Sequence, residues 1–355
     1  MVLARTLRAP IYDLPGSRIL RLAPIPVVLL GAIFLGTLVG STHIPPEETL
    51  RILLYKLGIH AGPITWPASA VAIIWLIRLP EVIAAALVGA ALGVAGALLQ
   101  AVFRNPLADP YVIGTSAGAQ LGIVAALLLP VSLAAAGFGT AQVFAFAGAL
   151  LTILLVYALA RVGGRVPVVT LLLAGFVVSS FLISGTSLLS VLSGNVDRLV
   201  AWTMGGITVD SWSQLAAIGP GTVVALALAS AFAAKLDVLQ LGEDQAGYLG
   251  LRVERLKLGV VVLASLLTAL AVSMAGVVAF VGLIVPHAVR LIYGPGHRVL
   301  LPASAGFGAA FLILADLIAR VAIPATELPL GVITAIVGAP FFLYLLRSSR
   351  STYAL

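Results

Sequence analysis

Apolar residues in this chain fall into long blocks, and polar residues are confined to the intervals between them. Ten blocks stand out, at 22–42, 82–103, 112–130, 140–160, 170–192, 214–234, 258–280, 281–293, 300–320 and 328–346. A helix needs roughly 20 apolar residues to cross the hydrocarbon of a bilayer, and only the eighth block falls well short. Each block is expected to be helical, because in lipid every backbone N–H and C=O must pair within its own segment. The pattern predicts an all-α polytopic membrane protein of about ten transmembrane helices.

Two intervals are more than connectors. Ile44 to Ile77 carries Pro45, Pro46, Pro63 and Pro67 around an amphipathic piece, EETLRILLYKLG, suited to lying along the interface. Lys235 to Lys257, KLDVLQLGEDQAGYLGLRVERLK, interleaves leucines with charges and predicts two short helices separated near Gly242 to Gly250. It reads either as a solvated connector or as a docking surface. A third interval, LLQAVFRNPLADPYVIGTSAGAQLG (Leu98 to Gly122), puts Arg104, Asn105, Asp109 and two prolines between apolar runs. Pro106 and Pro110 lack N–H donors and restrict the residues before them, so the second helix must stop there. Asn105 and Asp109 are placed to cap the third helix or to pair with Arg104.

Composition strengthens the membrane reading. Of the 355 residues 61% are hydrophobic and 9% charged, against roughly 25% charged in soluble domains. The net charge of +7 is dispersed between apolar runs rather than gathered on one face, so topology explains it better than nucleic acid, for which no partner role is expected. With the N-terminus inside, the inner intervals hold Arg5, Arg8, Arg18, Arg21, Arg104, Arg161, Arg165, Lys235, Arg252, Arg255, Lys257, Arg290, Arg298, Arg347 and Arg350. Only Arg51, Lys56, Arg78, Arg198 and Arg320 stay outside, so both termini are expected in the cytoplasm. The run at 22–42 lacks a small-residue cleavage site and is read as an uncleaved first helix. The expected organisation is a cytoplasmic segment 1–21, one transmembrane domain 22–346 and a tail 347–355.

Chemistry of its own is not expected. The chain has no cysteine and no G-x-x-x-x-G-K-[ST] phosphate loop. It has no G-x-S-x-G elbow, and His43, His60, His287 and His297 are scattered, so neither a catalytic set nor a metal site is expected. Asp316 has no partner carboxylate within the predicted spans, which argues against an intramembrane protease and an ion-coupled secondary transporter. A structural or receptor protein is a third class, and it predicts no ATPase partner. Passage of a solute, powered from elsewhere, remains. A faint internal echo, GALLQAVFRNP against GVVAFVGLIVPH and LLLAGF against LPLGVI, runs in opposite senses and suits inverted repeats.

Four ordered segments carry a specific likeness: RNPLADPYVIGTSAGAQLG (Arg104 to Gly122), LGEDQAGYLGL (Leu241 to Leu251), GLIVPHAVRLIYGPGHRVLLPASAGFGAAFLILADLIAR (Gly282 to Arg320) and ELPLGVITAIVGAPFFLYLL (Glu327 to Leu346). From about Leu76 onward the chain closely resembles the permease subunits of binding-protein-dependent ABC importers for iron siderophores, haem and cobalamin. The resemblance implies the type II importer fold, ten helices per subunit, a homodimer or a pair of related chains, two cytoplasmic ATPases that bind ATP and Mg, and a periplasmic or lipid-anchored binding protein. It implies a bacterial or archaeal plasma-membrane location and an iron chelate as cargo, with cobalamin as the alternative. No cofactor is implied in this chain itself.

Residue by residue, the resemblance makes Asn105, Pro106, Leu107 and Ala108 one cytoplasmic gate turn. Arg165 to Thr170 forms the second, with Val168 and Thr170 beside Pro167. Leu241, Gly242, Glu243, Gly247 and Gly250 match the loop that fits a groove in the ATPase. Gly194 to Trp212 resembles the short helix after the fifth span, where Trp202 and Trp212 could equally be interfacial anchors, the reading favoured for Trp212. Arg78 and Arg320 match basic positions that meet glutamates of the binding protein, although Glu81 stands where the family often has a further basic residue. Ser179, Ser180, Ser184 and Thr334 suit a weakly interacting translocation path.

Overall fold

A computed structural model describes residues 22–59, 62–129, 139–163, 166–209, 211–324 and 326–353. Among them the fold is all-helical apart from isolated bridge positions, such as the one between Ile323 and Thr326. Six helices are long and apolar enough to cross a membrane: α3 (Ala68–Phe103), α5 (Thr140–Ala160), α6 (Val168–Ser193), α8 (Trp212–Ser230), α11 (Val253–Ala275) and α13 (His297–Val321). Shorter apolar helices are α1 (Pro24–Leu38), α4 (Thr115–Leu128), α12 (Val281–Tyr293) and α14, whose apolar part is Leu330–Tyr344 and whose helix continues to Tyr353. The short helices α2 (Pro46–Lys56), α7 (Val196–Thr203), α9 (Ala233–Leu239) and α10 (Glu243–Tyr248) link them. The predicted segment 1–21 lies outside the described residues. The chain is a multi-pass membrane protein.

α3 is the axis of the bundle: 83% of its apolar window is buried, against 17% for α6. Its burial rests on glycines that let backbones touch. A Cβ built on Gly89 would strike the carbonyl of Gly308, one on Gly93 that of Ser304, and one on Gly96 that of Gly282, which locks α3 to α13 and α12. Gly118 and Gly122 of α4 meet Gly148 and Phe144 of α5 in the same way. Between membrane helices the hydrophobic effect gives little, so close packing at small residues has to hold the pair.

α3 begins well before the predicted start at 82. Residues Ala72–Arg78 wind as a π-helix, and the coil then passes through Pro80 without breaking. In the π register the carbonyl of Trp75 would bond to the N–H of residue 80, which proline lacks. The indole Nε1 of Trp212 donates to that carbonyl at 2.8 Å instead. Trp212 is therefore a bonded part of the bundle.

The end of α11 shows a similar completion. The carbonyls of Met274 and Ala275, left over at its C-terminus, accept from the N–H groups of Thr208 at 2.8 Å and Gly206 at 3.0 Å. Leu330 and Gly331 at the start of α14 donate to Gly205 and Met204. One polar junction thus closes three helix ends.

Candidate functional site

The predicted gate turn and the predicted coupling loop lie together at one end of the bundle. α3 stops at Arg104, held left-handed at φ 48°, a strained value for a residue with a side chain. Asn105 Oδ1 accepts from the Leu107 N–H at 3.0 Å and makes the turn. Asp109 Oδ1 accepts from the Tyr111 N–H at 2.8 Å, capping a 3-10 turn at Pro110–Ile113. Neither side chain caps the third helix, because Gly114 occupies that position at φ 93°. Neither pairs with Arg104. Asn105 and Leu107 are exposed, Pro106 is half-buried and Ala108 is buried.

Beneath the turn sits Gln100, almost wholly buried, which the sequence reading did not single out. Its Nε2 lies 3.3 to 3.4 Å from the carbonyls of Ala108, Gly282 and Leu283, and its Oε1 accepts from both terminal nitrogens of Arg290 at 3.2 Å. One side chain thereby ties the gate turn to α12. Gln100→Leu leaves those groups without a partner in a buried site, which costs about 1–3 kcal/mol. A lowered unfolding midpoint with normal expression is the expected result in a thermal scan of the detergent-solubilised protein.

The coupling loop is two helices, as predicted, but the break falls at Gln240–Gly242, with Gly242 at φ 118°, and α10 fills most of the interval predicted to separate them. Gly250, at φ 83°, ends α10. Leu241, Tyr248 and Leu249 are exposed, Tyr248 at 90%, so the loop carries an apolar rim. Glu243 is partly exposed and paired: Lys257 on α11, 6% exposed, bonds it at 2.6 Å and Glu254 at 3.3 Å. Glu254 Oε2 accepts in turn from the N–H of Val166, just before Pro167 starts α6. Val168 and Thr170 form the first turn of α6, and Arg165 lies outside the described residues. Gln240 Nε2 donates to the carbonyl of Ala101 near the end of α3. The loop is bonded to the second predicted gate at Val166 and to the end of α3 at Ala101, three residues before Arg104 ends the helix.

α6 carries the predicted path serines. The hydroxyls of Ser180, Ser184, Ser187 and Ser190 donate to the carbonyls four residues earlier at 2.8 to 2.9 Å. Their donors are spent within the helix; Ser190 is buried, and Ser180, Ser184 and Ser187 leave a surface of weak acceptors among exposed Phe176, Phe181 and Leu192. Ser179 is half-buried, and Thr334 on α14 is fully buried, bonded to Gly331, so the structure does not gather it with Ser180 and Ser184.

Arg78 and Arg320 lie at the opposite end of the bundle and are turned inward, 4% and 6% exposed. Arg78 donates to the carbonyls of Leu38 and Thr42. Arg320 meets Asp316 at 2.9 Å, Glu81 at 3.7 Å and the carbonyl of Gly36 at 3.3 Å. Glu81 thus approaches Arg320.

The model of the FecCD transport family matches residues 28–348. The chain belongs to the FecCD transport family. Among relatives of this FecCD protein, the cobalamin import system permease protein BtuC of Halobacterium salinarum is 49% identical over 320 residues, 86% of this chain and 85% of its own. The Fe(3+)-citrate import system permease protein YfmD of Bacillus subtilis is 37% identical over 338 residues, 95% of this chain and 97% of its own. A solved structure of a metal-chelate type ABC transporter, in an inward-facing conformation, superposes with a TM-score of 0.78 at 26% identity, covering 93% of this chain and 99% of that one. The relatives are transport subunits, and the FecCD chain is a transport component of that kind.

Sequence reading missed Gln100, Lys257 and the Asp237–His297 pair of this FecCD protein. Gln100 left one signal, a carboxamide inside an apolar run where an unpaired polar group is costly. Lys257 looked like a topological charge, and its two carboxylates were visible only as neighbours in a charged interval.

Proposed function

We propose that this chain is the membrane permease of a binding-protein-dependent ABC importer for a bulky metal chelate. In this reading the chain has ten spans in two inverted repeats and works as a homodimer in a plasma membrane. Both termini face the cytoplasm. Two ATPase subunits, which bind ATP and Mg, sit against the α9–α10 loop, and a periplasmic or lipid-anchored binding protein docks at the other end.

The observation that carries the proposal is the loop: an apolar rim of Leu241, Tyr248 and Leu249 faces outward while Lys257 braces its base through Glu243 and Glu254, Glu254 holds Val166 before the second gate, and Gln240 holds the end of α3 that leads into the first. A rigid displacement of the loop is thereby passed to Asn105–Ala108 and to Val168–Thr170. Arg78 and Arg320 stay in the reading as docking residues on one condition. Glutamates of the binding protein reach them only when Glu81 and Asp316 release Arg320 and the carbonyls of Leu38 and Thr42 release Arg78. The serine face of α6 supports a path that holds its cargo weakly, and its bare apolar surface suits a second copy across that path.

For the cargo, the 49% identity to a cobalamin permease favours a cobalamin, and the relative matched over 95% of the chain keeps an iron chelate as the second reading. Proteoliposomes holding the permease with its ATPase, supplied with binding protein, are expected to accumulate cyanocobalamin only with ATP. Uptake of ferric citrate alone moves the assignment to the second reading. Uptake driven by an ion gradient without the ATPase overturns the class. Tyr248→Asp with Leu249→Asp, both on the exposed rim, is expected to reduce ATPase capture in a pull-down at least tenfold while leaving the permease's unfolding midpoint unchanged.

A further inference from the structure

Helix α9 grips the inner ends of two spans at once. Oδ1 of Asp237, on α9, accepts the backbone N–H of His297, the first residue of α13, at 2.9 Å, and lies 2.7 Å from the imidazole Nδ1 of the same residue. Gly296 gives α13 no side-chain cap, so Asp237 supplies from 60 positions away the carboxylate that a helix N-terminus favours. Three residues on, Gln240 ends α9, and its Nε2 donates at 3.0 Å to the carbonyl of Ala101 in the last turn of α3. One short helix thus closes the start of α13 and the end of α3 with side chains one turn apart. The grip is anchored, because His297 is 2% exposed, and Leu236 and Leu239 on α9 are buried in the core that holds Leu300 and Leu301.

Beyond these bonds α3 and α13 form one antiparallel body. Their backbones meet at Gly89 with Gly308 and at Gly93 with Ser304, leaving no layer of side chains to compress. α13 continues through Pro302 as one helix of 25 residues, about 37 Å long. At the far end Glu81 of α3 approaches Arg320 of α13 at 3.7 Å, and Arg78 precedes Glu81 by three residues. The other bonds of the loop lead to α11 and to the start of α6, neither of which carries Arg78 or Arg320.

We propose that Asp237 and Gln240 are positioning residues through which the α9–α10 loop moves the α3–α13 pair as a unit. A displacement produced by the ATPase then reaches Arg78 and Arg320, and docking there returns to the ATPase by the same route. The proposal rests on the reading of this chain as a permease with the ATPase on the loop and the binding protein at the opposite end. Coupling of this kind is reciprocal: a factor by which nucleotide alters affinity for the binding protein is the factor by which the binding protein alters affinity for nucleotide.

The test uses the full permease with its ATPase in nanodiscs and measures the Kd of the binding protein without nucleotide and with a non-hydrolysable ATP analogue. In wild type the two Kd values are expected to differ by at least about fivefold. In Asp237→Ala combined with Gln240→Ala they are expected to agree within about twofold, while the nucleotide-free Kd and capture of the ATPase stay as in wild type. Asp237→Asn keeps an oxygen that accepts both N–H groups, so it is expected to keep the wild-type difference. If Asp237→Ala fails to fold, Gln240→Ala decides alone, since that side chain is exposed, and it is expected to close at least half of the difference on a logarithmic scale. An undiminished difference in these alanine variants, its loss in Asp237→Asn, or equal Kd values in wild type overturn the proposal. A wild-type permease that captures neither ATPase nor binding protein overturns the underlying reading, and this proposal with it.

Discussion

Gly96→Ala is expected to abolish the folded permease. The added methyl group would fall on the carbonyl of Gly282 in α12, and its next two neighbours are also backbone atoms of Gly282. A flexible side chain can move aside, but here a helix must move. α3 is meanwhile held to α13 through Gly89 and Gly93, so it cannot retreat without opening that seam as well. Close-packed interiors resist even one methylene, and a clash between two backbones belongs with the substitutions that cost more than about 4 kcal/mol. The expected readout is loss of the monodisperse peak in size-exclusion chromatography. Gly185→Ala on α6 is the control: nothing lies within 4 Å of its Cβ position, and exchanging glycine for alanine inside a helix gains roughly 0.5–1 kcal/mol. A Gly96→Ala protein with an unchanged unfolding midpoint would show that α12 is not pressed against α3.

Asp316→Ala is expected to cost about 3 kcal/mol, the lower end of the range for removing one partner of a buried ion pair. Asp316 and Arg320 are 4% and 6% exposed, one turn apart on α13, and 2.9 Å separates their charged atoms. Glu81, at 3.7 Å, still faces Arg320 after the change and keeps the loss below the upper end. Asp316→Leu combined with Arg320→Met removes both charges but leaves the Glu81 carboxylate without its cation, so it should recover only part of the loss. Thermal unfolding of Asp316→Leu, Arg320→Met and the double variant measures the coupling, and strict additivity would mean that the pair does not interact.

Much of this fold is legible in the sequence, since lipid forces apolar blocks to become helices wherever they occur. The errors fall where a helix end is decided by something distant. The apolar block that predicts α3 starts at residue 82, just past Arg78 and Pro80. The coil continues because Leu38 at the end of α1 offers its carbonyl to Arg78, and Trp212 takes the carbonyl of Trp75, 137 positions away, that Pro80 cannot serve. The inward turn of Arg78 and Arg320 was equally out of reach. Sequence places a charge at a helix end, but the close approach of Gly36 in α1 to Arg320 and of Gly40, just beyond α1, to Arg78 buries it. At the candidate site the turn at Asn105–Ala108 was readable from its prolines. Gln100 and Arg290 are separated by 190 positions, and no local pattern records their bond.

The pairing of Trp75 with Trp212 gives this protein an optical signature. The chain has four tryptophans, and these two place their rings 5.3 Å apart at 42°. Indoles that near and that inclined share their electronic transitions, so the native state should show a paired positive and negative band in circular dichroism that isolated tryptophans lack. The signal arises where the indole of one ring holds the backbone of the other, so it vanishes when the wide coil at the start of α3 rewinds or when α8 leaves it. Movement at that end of the bundle is thus readable in unlabelled protein, from light absorbed by residues already present.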